Sequence, residues 1–454
     1  MKVAPADRLT IKRRKITQEE LDDIVQAHAR HLAQRSGGRR ATLKLCDISH
    51  LDLRKVDLRG ADLTGTRLHR TRLGGALLDD ATLYACDLSE VDLSNAALNR
   101  TDLRGACLRA ADMSGASLVE ADLRSGKLYI PDEDGNLVVM ANQKGFVDLN
   151  GANLKGANLQ GASIKDAIVV ETDLTDAVLD QARLTRADLN GANLTGASLR
   201  GADLSGSNLQ GSKLSAANLT NAVLRGAQMQ GADLVCAVLD RADMKRANLT
   251  DAVMPTSLKR AGIDIVAVVK AHHRWLQSEG KHGRRADLSK LDMTGLELDG
   301  ANLSAANLSY SLLRDTKFRN CQFIMTDLSF ADLRGADLQG CDLRGASLFR
   351  TNLANANLVN AHLEPMHIES AMAQDWRTNL DHARLDAARL AGADLRQAVL
   401  TGTILRGADF QDADLRNADL TDAKTRDIDV RNARLDGADL RGTRLARELA
   451  LVED

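Results

Sequence analysis

The stretch ADLNG ANLTG ASLRG ADLSG SNLQG at residues 187–211 decides the fold. Every fifth residue is leucine: Leu189, Leu194, Leu199, Leu204 and Leu209. Two places before each stands a small residue (Ala187, Ala192, Ala197, Ala202, Ser207), with Asp, Asn or Ser between. A period of five matches neither an amphipathic helix, at about 3.6, nor a flat strand, at about 2. It matches a short extended segment followed by a corner. The small residue and the Leu alternate around an outward polar residue, so both face one side. The next two residues turn, and Gly191, Gly196, Gly201 and Gly206 stand at the second of them, where a type II turn requires positive φ. Segment and corner repeated wind the chain into coils with Leu and Ala inside. Stacked coils pair edge to edge, each serving as its neighbour's strand partner.

Tandem A(D/N)LXX of this kind resembles the pentapeptide-repeat family, and the resemblance runs through most of the chain. It implies an all-β fold, a right-handed quadrilateral β-helix with four pentapeptides and about 20 residues per coil. It implies no single function, because members of the family act in unrelated ways.

The pattern is interrupted in an ordered way. Residues 1–40 read as a basic arm (Lys12, Arg13, Arg14, Lys15) followed by a helix opened by the capping box Thr17–Glu20. Repeats fill 41–254, broken at 126–146, where LYI and LVVM flank PDEDGN as in a β-hairpin. Pro255 ends that run, and 255–285 contain a linker and a second amphipathic helix. Repeats return over 286–454, with a loop inserted at about 369–377. HARHLAQRSGGRRATL (28–43) aligns with HHRWLQSEGKHGRRADL (272–288), pairing His28 with His272 and Arg39–Arg40 with Arg284–Arg285. The alignment sets Leu123 opposite Ile368, so both interruptions are expected at the same place in duplicated halves. The predicted architecture is two tandem solenoids. Each is preceded by an α-helix that caps its N-terminal edge, which would otherwise expose leucines and unpaired strands.

Composition bounds the rest. Aromatics are 2% of 454 residues, which suits a narrow tube of Leu and Ala that excludes large rings. Four of the six Cys (Cys46, Cys86, Cys321, Cys341) stand at the small inward position, with no CxxC or Cys/His cluster. That argues against a zinc site or a disulfide framework and for a reducing compartment. With no apolar leader and no long apolar run, a soluble cytoplasmic protein is expected. Net charge is −2, but residues 1–40 carry ten Lys/Arg against five Asp/Glu, and 255–285 seven against two. Those basic ends leave the repeat bodies acidic.

No nucleophile–base pair, metal set or cofactor motif can be assembled, so neither an enzyme nor a cofactor is expected. DEDG at 132–135 matches a fragment of a calcium loop, but reads better as a hairpin turn. His28 and His272 fall on the apolar stripes of the helices and read as packing. Residues that the repeat does not require are the better pointers: Tyr129, Ile130, Asp132, Glu133 and Asp134 on the first loop, Met366 and Trp376 on the second. Lys12, Arg13, Arg14 and Lys15 form a candidate contact for an anionic partner.

The function expected is a non-enzymatic scaffold that binds proteins through solenoid faces and projecting loops. Homo-oligomerisation is compatible with it, and direct nucleic-acid binding is not expected. The resemblance also suggests an alternative, since some pentapeptide-repeat proteins mimic DNA and modulate type II topoisomerases such as gyrase. Those have strongly acidic surfaces, whereas here Arg59, Arg104, Arg200, Arg225, Arg334, Arg344 and Arg416 stand at corners beside the Asp rows.

Overall fold

The computed structural model describes residues 13–131, 137–139, 145–368 and 374–450. The chain divides into two compact units, Met1–Val253 and Met254–Asp454, each with its own apolar core.

The register of the backbone gives the coil. Each outward residue bridges in parallel to the one 20 positions on: Thr42 to Asp62, Asp47 to Arg67, Asp52 to Arg72, Asp57 to Leu77. Four columns of bridges mean four sides per coil. The backbone N–H groups of the repeat find partners in a recurring pattern. Around Asp57–Ala61, Leu58 N–H donates to Leu77 O (2.8 Å), Gly60 N–H to Asp79 O (2.9 Å), and Ala61 N–H to Leu58 O (3.0 Å), closing the turn. In the next pentapeptide, Asp62 N–H donates back to Ala41 O (3.0 Å). The remaining donor, Arg59 N–H, goes to Asp57 Oδ1 (3.2 Å). The outward Asp or Asn is therefore there to hold the first corner residue in an Asx turn. The same bond recurs at Thr64 on Asp62, Ser94 on Asp92 and Thr195 on Asn193.

The second corner residue has φ near +60°, as at Gly60 (67°), but also at Asp80 (59°), Arg100 (56°) and Glu120 (58°). Glycine is favoured at that corner without being obligatory.

The leucines are buried throughout. Several Thr and Cys at the small inward position donate to a leucine-position carbonyl 23 residues earlier, as Thr101 Oγ1 does to Leu78 O (3.0 Å) and Cys86 Sγ to Leu63 O (2.9 Å). Burial pushes the Cys86 thiol far above its ordinary value. The expectation that the tube excludes large rings is corrected. Phe318, Phe323 and Phe410 occupy Leu positions fully buried, and Phe318 meets Phe323 edge to face at 5.1 Å. Small neighbours such as Thr316 and Cys321 stand at the inward positions just before them.

In chain order, β1 (Arg14–Lys15) pairs in parallel with β2 (Cys46–Asp47), and between them lies α1 (Gln18–Leu32). The capping box Thr17–Glu20 makes both of its bonds. β3 (Tyr129–Pro131) and β4 (Leu137–Val139) form an antiparallel hairpin in the first unit. The second unit opens with β5 (Thr256–Ser257), α2 (Leu258–Ala261) and α3 (Ile265–Gln277), and β5 pairs with β6 (Leu291–Asp292). β7 (Met366–Ile368) and β8 (Gln374–Trp376) form its hairpin, and α4 (Arg444–Ala450) follows the last coil. Neither α2 nor α4 was expected. Leu445 keeps the five-residue phase and is buried, so the helix around it hides inside an apparent repeat.

Both long helices lie on the apolar core of their own unit. Leu21 is buried, with Ile24 and Val25 packed on the first core; Ile265, Val268 and Val269 pack on the second. His28 and His272 anchor them identically. Ala41 N–H donates to His28 Nδ1 (3.1 Å), and His28 Nε2 meets Arg59 O (3.1 Å). Ala286 N–H donates to His272 Nδ1, and His272 Nε2 meets Ser304 O, at the same distances. Since a backbone N–H can only donate, each Nδ1 is the acceptor and each ring is the neutral Nε2–H tautomer. Burial lowers the pKa of both.

The interruptions do not fall at the same place. The first adds 21 residues, since Cys107 bridges Asp148, and follows the outward residue Asp122. The second adds 12, since Ser347 bridges Asn379, and follows His362. Counting in fives from Thr42 and Asp287, which the histidine bonds make equivalent, the second leaves one corner earlier in its coil. It also begins before 369, because β7 starts at Met366.

Candidate functional site

Each hairpin lies back over the corner column from which it springs. In the first unit Gly126 N–H donates to Gly145 O (2.9 Å), and Tyr84 OH donates to Lys127 O (2.9 Å). A Cβ on Gly105 would stand 2.3 Å from Gly126 O, so the corner beneath the hairpin must be glycine. Beyond this base Tyr129 (55% exposed) pairs across the strands with Val139, and Pro131 with Leu137 (71% exposed). Tyr129, Leu137 and Val139 thus put apolar surface into water on one side of the hairpin. Ile130 is half-buried; Asp132, Glu133 and Asp134 lie outside the described residues.

In the second unit Gly345 N–H donates to Thr378 Oγ1 (3.0 Å), and a Cβ on Gly345 would lie 3.2 Å from Met366 Cβ and 3.3 Å from Trp376 O. Met366 is half-buried, and Trp376 is 47% exposed. His367 and Asp375 meet across the strands at 2.5 Å. This hairpin borders one edge of the face made by Asn307, Asp327, Ser347 and Asn379.

The opposite edge of that face carries a feature absent from the expected site. Tyr310 and Phe330, 20 residues apart at successive corners, stack with ring centres 4.7 Å apart and planes within 4°. Phe349 meets Phe330 edge-on at 5.4 Å, and the Arg350 guanidinium lies 5.2 Å from the Phe349 ring centre. All four are half-buried. Nothing in the five-residue repeat calls for aromatics at corners. The signal was the 20-residue spacing of Tyr310, Phe330 and Arg350, legible once the coil length is known.

The basic arm is partly occupied. Arg14 and Lys15 form β1, Arg14 pairs with Glu20 (3.0 Å), and Arg13 Nε–H donates to Gly65 O (3.1 Å). Lys12 lies outside the described residues.

The Asp rows are neutralised in part. Where the residue two after the Asp is Arg, the guanidinium folds back on the carboxylate: Arg59 on Asp57 (2.7 Å), Arg104 on Asp102 (2.8 Å), Arg344 on Asp342 (2.6 Å), Arg416 on Asp414 (2.6 Å). Arg334 does the same on Asp332 (2.9 Å), and Arg225 reaches Asp243 of the next coil (2.6 Å). Arg200 offers its backbone N–H to Asp180 (3.0 Å). Hydrogen bonds from Arg54 and Arg441 hold the Asp52 and Asp439 carboxyls down to about 2. Among the described residues no three His, Cys, Asp or Glu side chains gather as a metal set, and no helix is long and apolar enough to cross a membrane.

The family model described as pentapeptide repeats (8 copies) matches residues 41–80, 86–124, 146–176, 172–211, 212–251, 284–320, 297–329, 326–364, 378–417 and 413–447. The chain belongs to the pentapeptide-repeat family. Among solved structures, HetL from the cyanobacterium Nostoc, a pentapeptide-repeat protein involved in heterocyst differentiation regulation, is 30% identical. The match covers 50% of this chain and 92% of HetL, with a TM-score of 0.38. A pentapeptide-repeat protein of the Arabidopsis thaliana thylakoid lumen is 29% identical over 26% of this chain and 77% of its own, with a TM-score of 0.18. Full-length QnrB1, a plasmid-mediated fluoroquinolone resistance protein, is 16% identical over 47% and 92%, with a TM-score of 0.22. No curated protein matches the chain.

Proposed function

We propose that this pentapeptide-repeat protein is a non-enzymatic scaffold that captures a protein partner on its solenoid faces and hairpins. The face of the second unit between Trp376 and the Tyr310–Phe330–Phe349 column is the main surface. The observation that carries this reading is the placement of aromatics. In a chain with 2% aromatics, rings crowd both edges of one polar face. Aromatic residues are enriched at protein interfaces and supply most of their anchors. The hairpin of the first unit adds a second apolar patch at Tyr129, Leu137 and Val139. The helices α1 and α3 serve as caps, each sealing the N-terminal edge of its own coils. Thiols buried against backbone carbonyls suit a cytoplasmic setting.

The test is capture from native lysate by the immobilised chain, followed by titration of the recovered partner. Phe330→Ala with Trp376→Ala is expected to weaken that partner by about 2 kcal/mol or more per anchor. The half-buried rings should cost the fold little, and exposed Trp376 less than about 0.5 kcal/mol. Unchanged capture alongside a lowered melting temperature would move these rings into the packing and sink the reading. Topoisomerase modulation by DNA mimicry meets the opposing observation that corner arginines pair with many of the row aspartates. A gyrase supercoiling assay separates the two, since a scaffold of the kind proposed leaves supercoiling unaltered.

A further inference from the structure

The outward Asp of a pentapeptide holds the first corner residue and, where that residue is Arg, neutralises it. Four pentapeptides of the second unit break this rule. In two of them Arg314 and Arg319 follow Leu312 and Lys317 and reach Asp332 and Asp337 of the next coil instead. The other two, Thr403-Ile404-Leu405-Arg406 and Ala423-Lys424-Thr425-Arg426, keep the corner Arg but put Ile and Lys where the Asp belongs. They are neighbours in the coil stack, for Ile404 bridges Lys424. The next residue in phase, Arg444, begins α4 and is again cationic. Arg406, Lys424, Arg426, Arg444 and Arg447 line one cavity of about 460 Å³, floored by Thr425 and Thr443.

Only part of this charge is answered. Asp427 lies 3.2 Å from Arg426, and Glu448 lies 2.5 Å from Arg444. Among the described residues Arg406, Lys424 and Arg447 make no ion pair. The contrast is local, because Arg396, Arg416, Arg431 and Arg441 in the same unit each pair with the Asp two places before, at 2.6–2.7 Å.

We propose that this cavity is a binding site for a linear phosphate chain. The cations stand in two parallel columns, Lys424 with Arg444 and Arg406 with Arg426, stepped by the coil spacing of about 4.8 Å. A ligand must present several negative charges along one line to meet both columns at once, which a single orthophosphate does not. Guanidinium groups take phosphate oxygens two at a time. Convergence on one concavity, rather than a stripe along a face, favours a small polyanion over duplex DNA.

The probe is tripolyphosphate, titrated calorimetrically into the full chain at about physiological salt. One site per chain is expected. Ile404→Asp with Lys424→Asp restores the repeat's own pairing and should fold as well as any other pentapeptide. It withdraws two guanidinium groups, removes the Lys424 ammonium, and should weaken binding at least about 100-fold. Arg447→Ser gives an independent loss of about tenfold should the double variant fail to fold. Arg396→Ser, whose guanidinium is already taken by Asp394, should bind as the parent does. Equal affinity for ATP and tripolyphosphate would show that the phosphate chain alone is recognised; tighter ATP would show that a nucleotide supplies it. The proposal is overturned if binding survives both cavity variants. It is equally overturned if orthophosphate or sulfate binds as well as tripolyphosphate, or if a duplex oligonucleotide binds more tightly with the same sensitivity to the variants.

Discussion

Leu199→Asp melts at least about 6 °C below the parent, while Leu199→Met stays within a few degrees. Leu199 is fully buried, one coil from Leu179 and Leu219, which are equally buried. Its backbone is already committed, since Leu199 N–H donates to Asn218 O (2.7 Å). The side chain therefore cannot turn outward without breaking the stack. An aspartate there loses the packing of a buried leucine, about 2–5 kcal/mol. It also places a carboxyl where no partner waits, at a further cost of about 1–3 kcal/mol even when it takes up a proton to shed its charge. At about 2–4 °C per kcal/mol for a unit of this size, the melting shift is large. Methionine conserves volume and polarity, and costs less than about 1.5 kcal/mol. Thermal melts by circular dichroism read the difference, and coincident curves would turn Leu199 outward.

That prediction rests on the part of the molecule most legible in the sequence. Period, inward leucines and stacked parallel edges all follow from ADLNG repeated, because a five-residue period matches neither a helix nor a flat strand but does match a segment and a corner. What stayed hidden has physical causes. The role of the outward Asp is a bond to a backbone N–H two residues on, and composition suggests only a polar surface. The interruptions were misaligned because every pentapeptide resembles every other. An alignment anchored on His28 and His272 cannot say how many coils precede a break. The aromatic column of Tyr310, Phe330 and Phe349 needs the coil length of 20 to become a column. The cation cavity needs α4, which Leu445 disguises by keeping the repeat's phase. Tyr129 and Trp376 stand exposed where the sequence put them; Ile130 and Met366 are half-buried, turned partly toward the solenoid.

The histidines give the second large effect. His28→Ala or His272→Ala leaves two backbone groups without partners in a dry site: the N–H of Ala41 and carbonyl of Arg59, or the N–H of Ala286 and carbonyl of Ser304. Each orphaned group costs about 1–3 kcal/mol, so each variant should lose about 2–6 kcal/mol in its own unit. The same geometry fixes the direction of the pH response. Nδ1 is filled by an N–H donor, so a proton cannot enter there without breaking that bond. Burial opposes the charge first; for His28, Arg40 and His31 oppose it too, with Asp57 pulling the other way, and for His272 the opposing cations are Arg285 and His273. The folded pKa lies below the unfolded one, so below about pH 6.5 the unfolded chain binds more protons. Stability is complete above that pH and falls as pH drops through it, by at most about 1.4 kcal/mol per pH unit for each histidine. The paired carboxylates respond separately: Asp52 and Asp439, held at about 2, lose their contribution only as pH falls below the ordinary carboxylate range. Melting curves from pH 7.5 to 5.5 should therefore slope in the parent and flatten when both histidines are replaced. A parent curve flat across that window, or a slope kept by the double variant, would mean that the rings are not the neutral acceptors this geometry requires.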